Sequence, residues 1–270
     1  MSALEFIILG CGSSAGTPRA DGAWGACDPA DPRNRRSRCS LMVRRRGEGG
    51  PETTVIVDAA PEFRLQTNAA GVKRLDALLL THDHADQCHG IDDIRGFAIA
   101  QRARIACWAD EATAESLRRR FSYIFRGEGP YPAIADLHPT PPHETVFAID
   151  GPSGPIPVVT FEQDHGSVSS LGYRFGGLAY SSDVVELPEA SFQALDGVEV
   201  WILDALRYTP HPTHAHVDKA LSWIERVRPR QAILTNLHID LDYAELAARL
   251  PPGVVPAHDG LRLELELEDN

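Results

Sequence analysis

The run Leu78-Leu79-Leu80-Thr81 ends abruptly in His82-Asp83-His84-Ala85-Asp86. An apolar run of this kind reads as a buried strand, and the residues just past its end are delivered to the edge of a sheet. Three side chains that ligate borderline metals stand there at alternate positions: His82, His84 and Asp86. A lone histidine is more often a satisfied surface or core residue. Three such groups in five residues after a strand indicate a metal site, and with it hydrolytic chemistry.

The 270 residues can bury a substantial core, and one domain spanning residues 1–270 is expected. No apolar run approaches a membrane span, and the N-terminus carries an early acid and no basic leader. The five cysteines (11, 27, 39, 88 and 107) are odd in number and scattered, which fits idle thiols rather than a disulfide frame. These features predict a cytoplasmic protein with no membrane partner. A net charge of -12 argues against a protein that coats long nucleic acid. Against that acidity, Arg33, Arg35, Arg36, Arg38, Arg44, Arg45 and Arg46 crowd together. They read either as a solvated basic loop and strand edge, or as an anion site suited to the planar fork of arginine.

Short β-rich runs recur along the chain, with helix-like segments at Glu62–Ala70, Glu111–Phe121, Val217–Val227 and Tyr243–Leu250. The runs flanking Gly176-Gly177 read as a hairpin. Gly127 to Pro157, rich in Pro and Gly, reads as an internal loop near the cleft. Mixed strands and helices imply an α/β protein with a mixed sheet or two sheets. Further ligand-type residues close later strands: His165, Asp183, Asp204, and the pair Asn236 and His238. Each alone fits a cap or turn, but together they are what a metal cleft on sheet edges requires.

The motif from His82 to Gln87, followed by His165, Asp183 and a closing polar residue, resembles the metallo-β-lactamase superfamily. The hallmark of that family is His-x-His-x-Asp-His with a distant His, an Asp and a final His. The opening Leu9-Gly10-Cys11-Gly12-Ser13-Ser14-Ala15-Gly16-Thr17-Pro18 and the closing Ala257-His258-Asp259-Gly260-Leu261 extend the resemblance over nearly the whole chain. Asp31-Pro32-Arg33-Asn34-Arg35-Arg36 and Gly90-Ile91-Asp92-Asp93-Ile94-Arg95 resemble the branch that includes cyclic phosphate phosphodiesterases. The resemblance implies an αββα sandwich, two mixed β-sheets flanked by helices, with metals at one edge. It also implies zinc on His82, His84 and His165, and Asp183 bridging to a second ion, manganese or zinc. Asp86 would bind that second ion and orient hydroxide, with Asp58 and Asp204 behind the ligands. Gln87 stands where the motif has a histidine, and Asn236 where the final histidine belongs. Both weaken or retune the second site, and His238 is the candidate to compensate. Only Cys27 remains of the branch's N-terminal cysteine cluster, so no structural zinc is expected.

Within Thr209 to Asp218, His211 and His216 read first as surface or cap histidines, while His214 aligns with the branch's proton donor to the leaving group. Arg35, Arg38, Ser13 and His216 are taken as substrate contacts; Ser13 lies in a glycine-rich turn that brings backbone N–H groups near phosphate or is a plain turn. The expected activity is metal-dependent hydrolysis of a small phosphodiester, a cyclic phosphate on ribose or a nucleotide-like compound. Metal-activated hydroxide would attack and His214 would protonate the departing oxygen. The expected partner is a small phosphorylated molecule, and a homodimer stays open. Three rivals compete. A tRNA 3′-processing endonuclease would need a basic arm, and a glyoxalase-type thioesterase would need histidines at positions 87 and 236. A nucleotide-binding or sensory protein would accommodate a degraded second site.

Overall fold

The computed structural model describes residues 3–47 and 49–267. Its strands are β1 (Ala3–Gly10), β2 (Ser40–Arg45), β3 (Thr53–Val57), β4 (Ala77–Leu79), β5 (Ile105–Ala109), β6 (Ala135–Pro139) and β7 (Phe147–Ile149). They continue with β8 (Ile156–Asp164), β9 (Ser169–Phe175), β10 (Leu178–Ser181), β11 (Val200–Asp204), β12 (Gln231–Thr235), β13 (Val254–Pro256) and β14 (Arg262–Glu266). The helices are α1 (Phe63–Ala69), α2 (Ala85–Cys88), α3 (Arg95–Gln101), α4 (Glu111–Arg120), α5 (Ser122–Arg126), α6 (Glu189–Ala194), α7 (Val217–Val227) and α8 (Tyr243–Arg249).

Two seven-stranded sheets form, ordered β14-β1-β2-β3-β4-β5-β6 and β13-β12-β11-β10-β9-β8-β7. Each is mixed: β14 to β3 pair antiparallel and β3 to β6 parallel, while β7 to β10 pair antiparallel and β10 to β13 parallel. The sheets face each other across one core, in which Phe6, Ile8, Val55 and Leu79 meet Val158, Tyr173, Tyr180 and Ile202. The other face of the first sheet, with Ile7, Leu9 and Ile56, is covered by Phe63 of α1 and Leu117 of α4. The other face of the second is covered by Val217, Ala220 and Trp223 of α7 and Leu246 of α8. The architecture is therefore the αββα sandwich. Strands buried on both faces read as continuous apolar runs without polar alternation, as Phe6-Ile7-Ile8-Leu9 does. Among the described residues no helix is long and apolar enough to cross a membrane.

The structure corrects two sequence expectations. Gly127–Pro157 contains β6 and β7, the edge strands of the two sheets. An edge strand needs one partner and tolerates proline, so its signal is weak among Pro and Gly. The arginine-rich stretch is no loop at its end, because Ser40–Arg45 is β2, held between β1 and β3. Arg44 is buried there and pairs with Glu5 and Glu52, which is why a charged residue sits inside a sheet. The hairpin at Gly176-Gly177 forms as expected, Phe175 opposite Leu178, with Gly176 at φ 58.

The two sheets are stitched together beside the His82 motif. The Tyr173 hydroxyl on β9 donates to the Leu80 carbonyl at 2.7 Å, and the Leu171 N–H donates to the Thr81 carbonyl at 2.9 Å. Tyr173→Phe should destabilise the fold by about 1–3 kcal/mol, since it strands a buried carbonyl. Urea unfolding at neutral pH measures this, and an unchanged midpoint would contradict it.

Candidate metal centre

Asp58, His82, Asp183, Asp204 and Asn236 all lie at or just beyond the C-terminal ends of strands that run parallel to a neighbour, the rim where α/β sheets bind ligands. Asp58, Asp183 and Asn236 take left-handed backbone at φ 64, 56 and 61, which turns the chain sharply off each strand. Asp and Asn tolerate this conformation better than other non-glycine residues, and such strain gathers at functional sites.

Hydrogen bonding fixes which ring nitrogens are available. His165 Nδ1–H donates to the Thr213 carbonyl at 2.7 Å, and a carbonyl only accepts, so Nε2 keeps its lone pair. Asp58 accepts from the Thr81 N–H at 2.8 Å and from its hydroxyl at 2.9 Å. The same hydroxyl lies 2.9 Å from His82 Nδ1. With Asp58 ionised the relay leaves His82 Nε2 bare, and that atom is buried without a partner. The ligand atoms of His82, His84 and His165 lie within 4.8 Å of one another. His165 Nε2 and His84 Nδ1 are 3.3 Å apart, and His84 is the most exposed of the three.

A second group, His165, Asp183 and His214, shares the His165 ring. Asp183 Oδ1 stands 3.9 Å from His165 Nε2 and 4.0 Å from His214 Nδ1. Its Oδ2 accepts from the Ser182 hydroxyl at 2.5 Å and from the Gln87 amide at 2.9 Å. Burial opposes ionisation of Asp183, but the charge of His214 and the hydrogen bond from the Ser182 hydroxyl outweigh it and hold the carboxyl below its usual range. Burial pushes His82 down to about 3 and lowers His165, so both rings are neutral, as metal ligands must be. Burial also works against charge on His214. The Asp204 carboxylate at 2.9 Å, with Asp183 and Asp86, nevertheless lifts it to about 9. Asp86 is pushed up to about 6 by burial and by the charge of Asp183.

The donor set fits a metal on this charge pattern. Asp58, Asp86, Asp183 and Asp204 are drawn from water into one region, and none pairs with a lysine or arginine among the described residues. Burial pushes Asp58 well up for want of a counter-charge. A cation against bare His82 Nε2 and His165 Nε2 supplies that charge.

Other expected site residues fall elsewhere. The structure does not bring His238 into the cluster: Arg19 Nη2 lies 2.5 Å from its Nε2, and Asp240 2.9 Å from its Nδ1. A nitrogen that accepts from a guanidinium has no lone pair left for a metal. Gln87 is turned with its NH2 toward Asp183, leaving Oε1 buried without a partner, and Asn236 Nδ2 lies 3.2 Å from His214 Nδ1. Arg38 pairs with Glu62 and Arg35 lies over the Trp24 ring. Both line a cavity of about 510 Å3 beside α1 whose lining includes none of the clustered histidines. Arg33 and Arg46 are likewise spent on ion pairs and Arg36 on buried carbonyls, so the crowded arginines are not an anion site at the cleft. His216 stands at the N-cap of α7, and Ser13 is buried with its N–H on the Leu237 carbonyl at 3.3 Å. Sequence reasoning missed Thr81, Ser182 and Tyr173, whose roles depend on partners far away in the chain.

Comparison with known proteins supports the fold. Residues 53–239 match the family model of the β-lactamase superfamily domain. Over 266 residues, 96% of the chain, it is 30% identical to an octanoyltransferase of Porphyromonas gingivalis, of which it spans only about half (51%). A solved diphosphatase of the PhnP family aligns at 34% identity with a TM-score of 0.86, over 99% of both chains. Zn2+-bound PqqB from Methylobacterium extorquens shares the fold at 17% identity and a TM-score of 0.75, over 97% of this chain and 100% of that one. The short form of human tRNase Z does so at 13% and 0.66, over 96% and 98%.

Two outcomes are expected. His165→Ala should lose at least about nine-tenths of the bound transition metal while keeping its circular dichroism, because a neutral buried imidazole is removed from the set; unchanged metal content by elemental analysis would refute the assignment. In chelator-treated protein, His214 is raised to about 9 from an ordinary 6.5. Its stabilisation is therefore lost as pH rises through 9, and at the acid end the pair also weakens as Asp204, pushed up to about 6 by burial, takes a proton. The unfolding cost of His214→Gln should be larger at pH 7.5 than at pH 10, and equal costs would contradict the ion pair.

Proposed function

This chain belongs to the β-lactamase superfamily, a family of hydrolases, and on that premise we propose that it cleaves a small phosphodiester, a cyclic phosphate on ribose or a nucleotide-like compound. One observation carries the reading: a cluster of bare imidazole nitrogens lies directly beside His214, whose ring rests on the buried Asp204 carboxylate at 2.9 Å. The diphosphatase likeness at 34% identity supports phosphate-ester chemistry. The octanoyltransferase name belongs to a protein about twice as long as the matched region.

His82, His84 and His165, with Asp183, would hold the metal, zinc by the softness of its ligands. When bound it lowers the pKa of water and stabilises negative charge on phosphoryl oxygen. The remaining work falls to the protein's own groups. Asp183 is locked by Ser182 and Gln87 and fixes where the attacking water sits. Asp86, pushed up to about 6, accepts a proton from that water near neutral pH. His214 gives its proton to the departing oxygen, and Asp204 holds the ring in place and keeps it charged. A second ion, manganese or zinc, would find amides at Gln87 and Asn236 in place of imidazoles and bind more weakly. These same two residues favour a second reading, a nucleotide-binding protein without turnover. Five buried cysteines, all free thiols, support a cytoplasmic setting.

His214→Ala should slow a diester with a poor alkoxide leaving group by about a hundred- to ten-thousand-fold, and one with a nitrophenolate leaving group far less. Only the alkoxide needs a proton. Equal losses would assign His214 to binding or structure, and no turnover of any phosphodiester with zinc or manganese supplied would favour the binding protein.

A further inference from the structure

The three clustered histidines are not held alike. His165 is anchored by the Thr213 carbonyl and His82 by the Thr81 hydroxyl. His84 is exposed, and among the described residues its ring nitrogen meets only the His165 ring. Its backbone opens α2, a single turn with no side-chain cap at its N-terminus. One turn of helix does not hold itself in place. The direction in which His84 points is therefore set by whatever fixes the backbone on either side of it.

α4 supplies that hold from outside the cleft. Side chains alternate along an extended run, so with His82 and His84 turned inward, ring centroids 4.5 Å apart, Asp83 between them faces the other way. There it meets Ser116 and Arg120, which lie one helical turn apart on the same side of α4. The Ser116 hydroxyl donates to Asp83 Oδ2. Arg120 Nη1 donates to the Asp83 carbonyl and lies 3.4 Å from Oδ2. Arg120 Nη2 lies 2.7 Å from Nε2 of His89, the residue that closes α2. One guanidinium thus spans the residue before His84 and the far end of the turn that follows it. The base it works from is firm. Asp110 caps α4 by accepting from the Thr113 N–H at 2.7 Å, and Leu117 is fully buried in the same apolar cluster as Leu80 and Cys88. Of the three arginines that end α4, Arg120 is the one in contact with the histidine loop.

We propose that Arg120 is a positioning residue for the metal centre: by holding Asp83 and His89 from behind, it fixes the backbone that presents His84 to the ion. This rests on His84 as a metal ligand and not on which bond is cleaved. The test is zinc affinity, measured by competition with a chromophoric chelator, in the wild type, Arg120→Ala, His84→Ala and the double variant. Arg120→Ala should weaken zinc about tenfold, as the loss of a group that orients a ligand does. Arg120→Lys should recover only part of that, because an ammonium lacks the fork that reaches both partners. In the His84→Ala background, Arg120→Ala should cost less than about twofold more, since the side chain it positions is gone. Arg119→Ala, the same change of charge one residue away, should bind zinc as the wild type does. Loaded with cobalt instead, Arg120→Ala should shift its visible absorption toward that of His84→Ala, a signature that a general loss of stability does not produce. If Arg120→Ala does not fold, Arg120→Lys takes its place in the same cycle. Unchanged zinc affinity in the Arg120 variants, or an equal loss with and without His84, overturns the proposal. Unchanged affinity in His84→Ala overturns it together with the ligand assignment.

Discussion

The seam between the two sheets is the constraint on which the site depends. His82 and His84 extend from the first sheet, while His165, Asp183 and His214 belong to the second. Ligand atoms within 4.8 Å of one another must therefore be set by how the sheets meet. Tyr173 and Leu171 fix that meeting by reaching across to the carbonyls of Leu80 and Thr81, the two residues before His82. The interior below the seam is packed with apolar side chains from both sheets, so neither sheet can slide without opening voids.

Electrostatics supplies the second constraint. A fold does not gather Asp58, Asp86, Asp183 and Asp204 in one region, away from lysine and arginine, to gain stability; buried carboxylates so arranged cost free energy until a cation joins them. Thr81 and Asp204 serve the imidazoles by fixing their protons, which makes His82 a ligand and His214 a proton carrier from the same side-chain chemistry. The two histidines differ because one is buried among imidazoles and the other rests on a carboxylate.

Much of this was legible in the sequence where the signal is local. His82, His84 and Asp86 follow a strand at alternate positions, α7 declares itself by its apolar face, and the Gly176-Gly177 hairpin by its turn. What failed depended on distant partners. The arginines at 33–46 resembled an anion site because Glu5, Glu52 and Glu62 are invisible as partners in one dimension. His238 resembled a ligand by its spacing from Asn236, and only the fold reveals Arg19 against it. Edge strands β6 and β7 were hidden for a related reason, since an edge asks less of its residues than a central strand.

Anomalous diffraction from crystals of protein purified without chelator tests the central claim most directly. The account places a transition-metal peak in bonding contact with Nε2 of both His82 and His165, beside Asp183 Oδ1. A peak bonded through His82 Nδ1, a peak outside the cluster, or a site holding only water would contradict it.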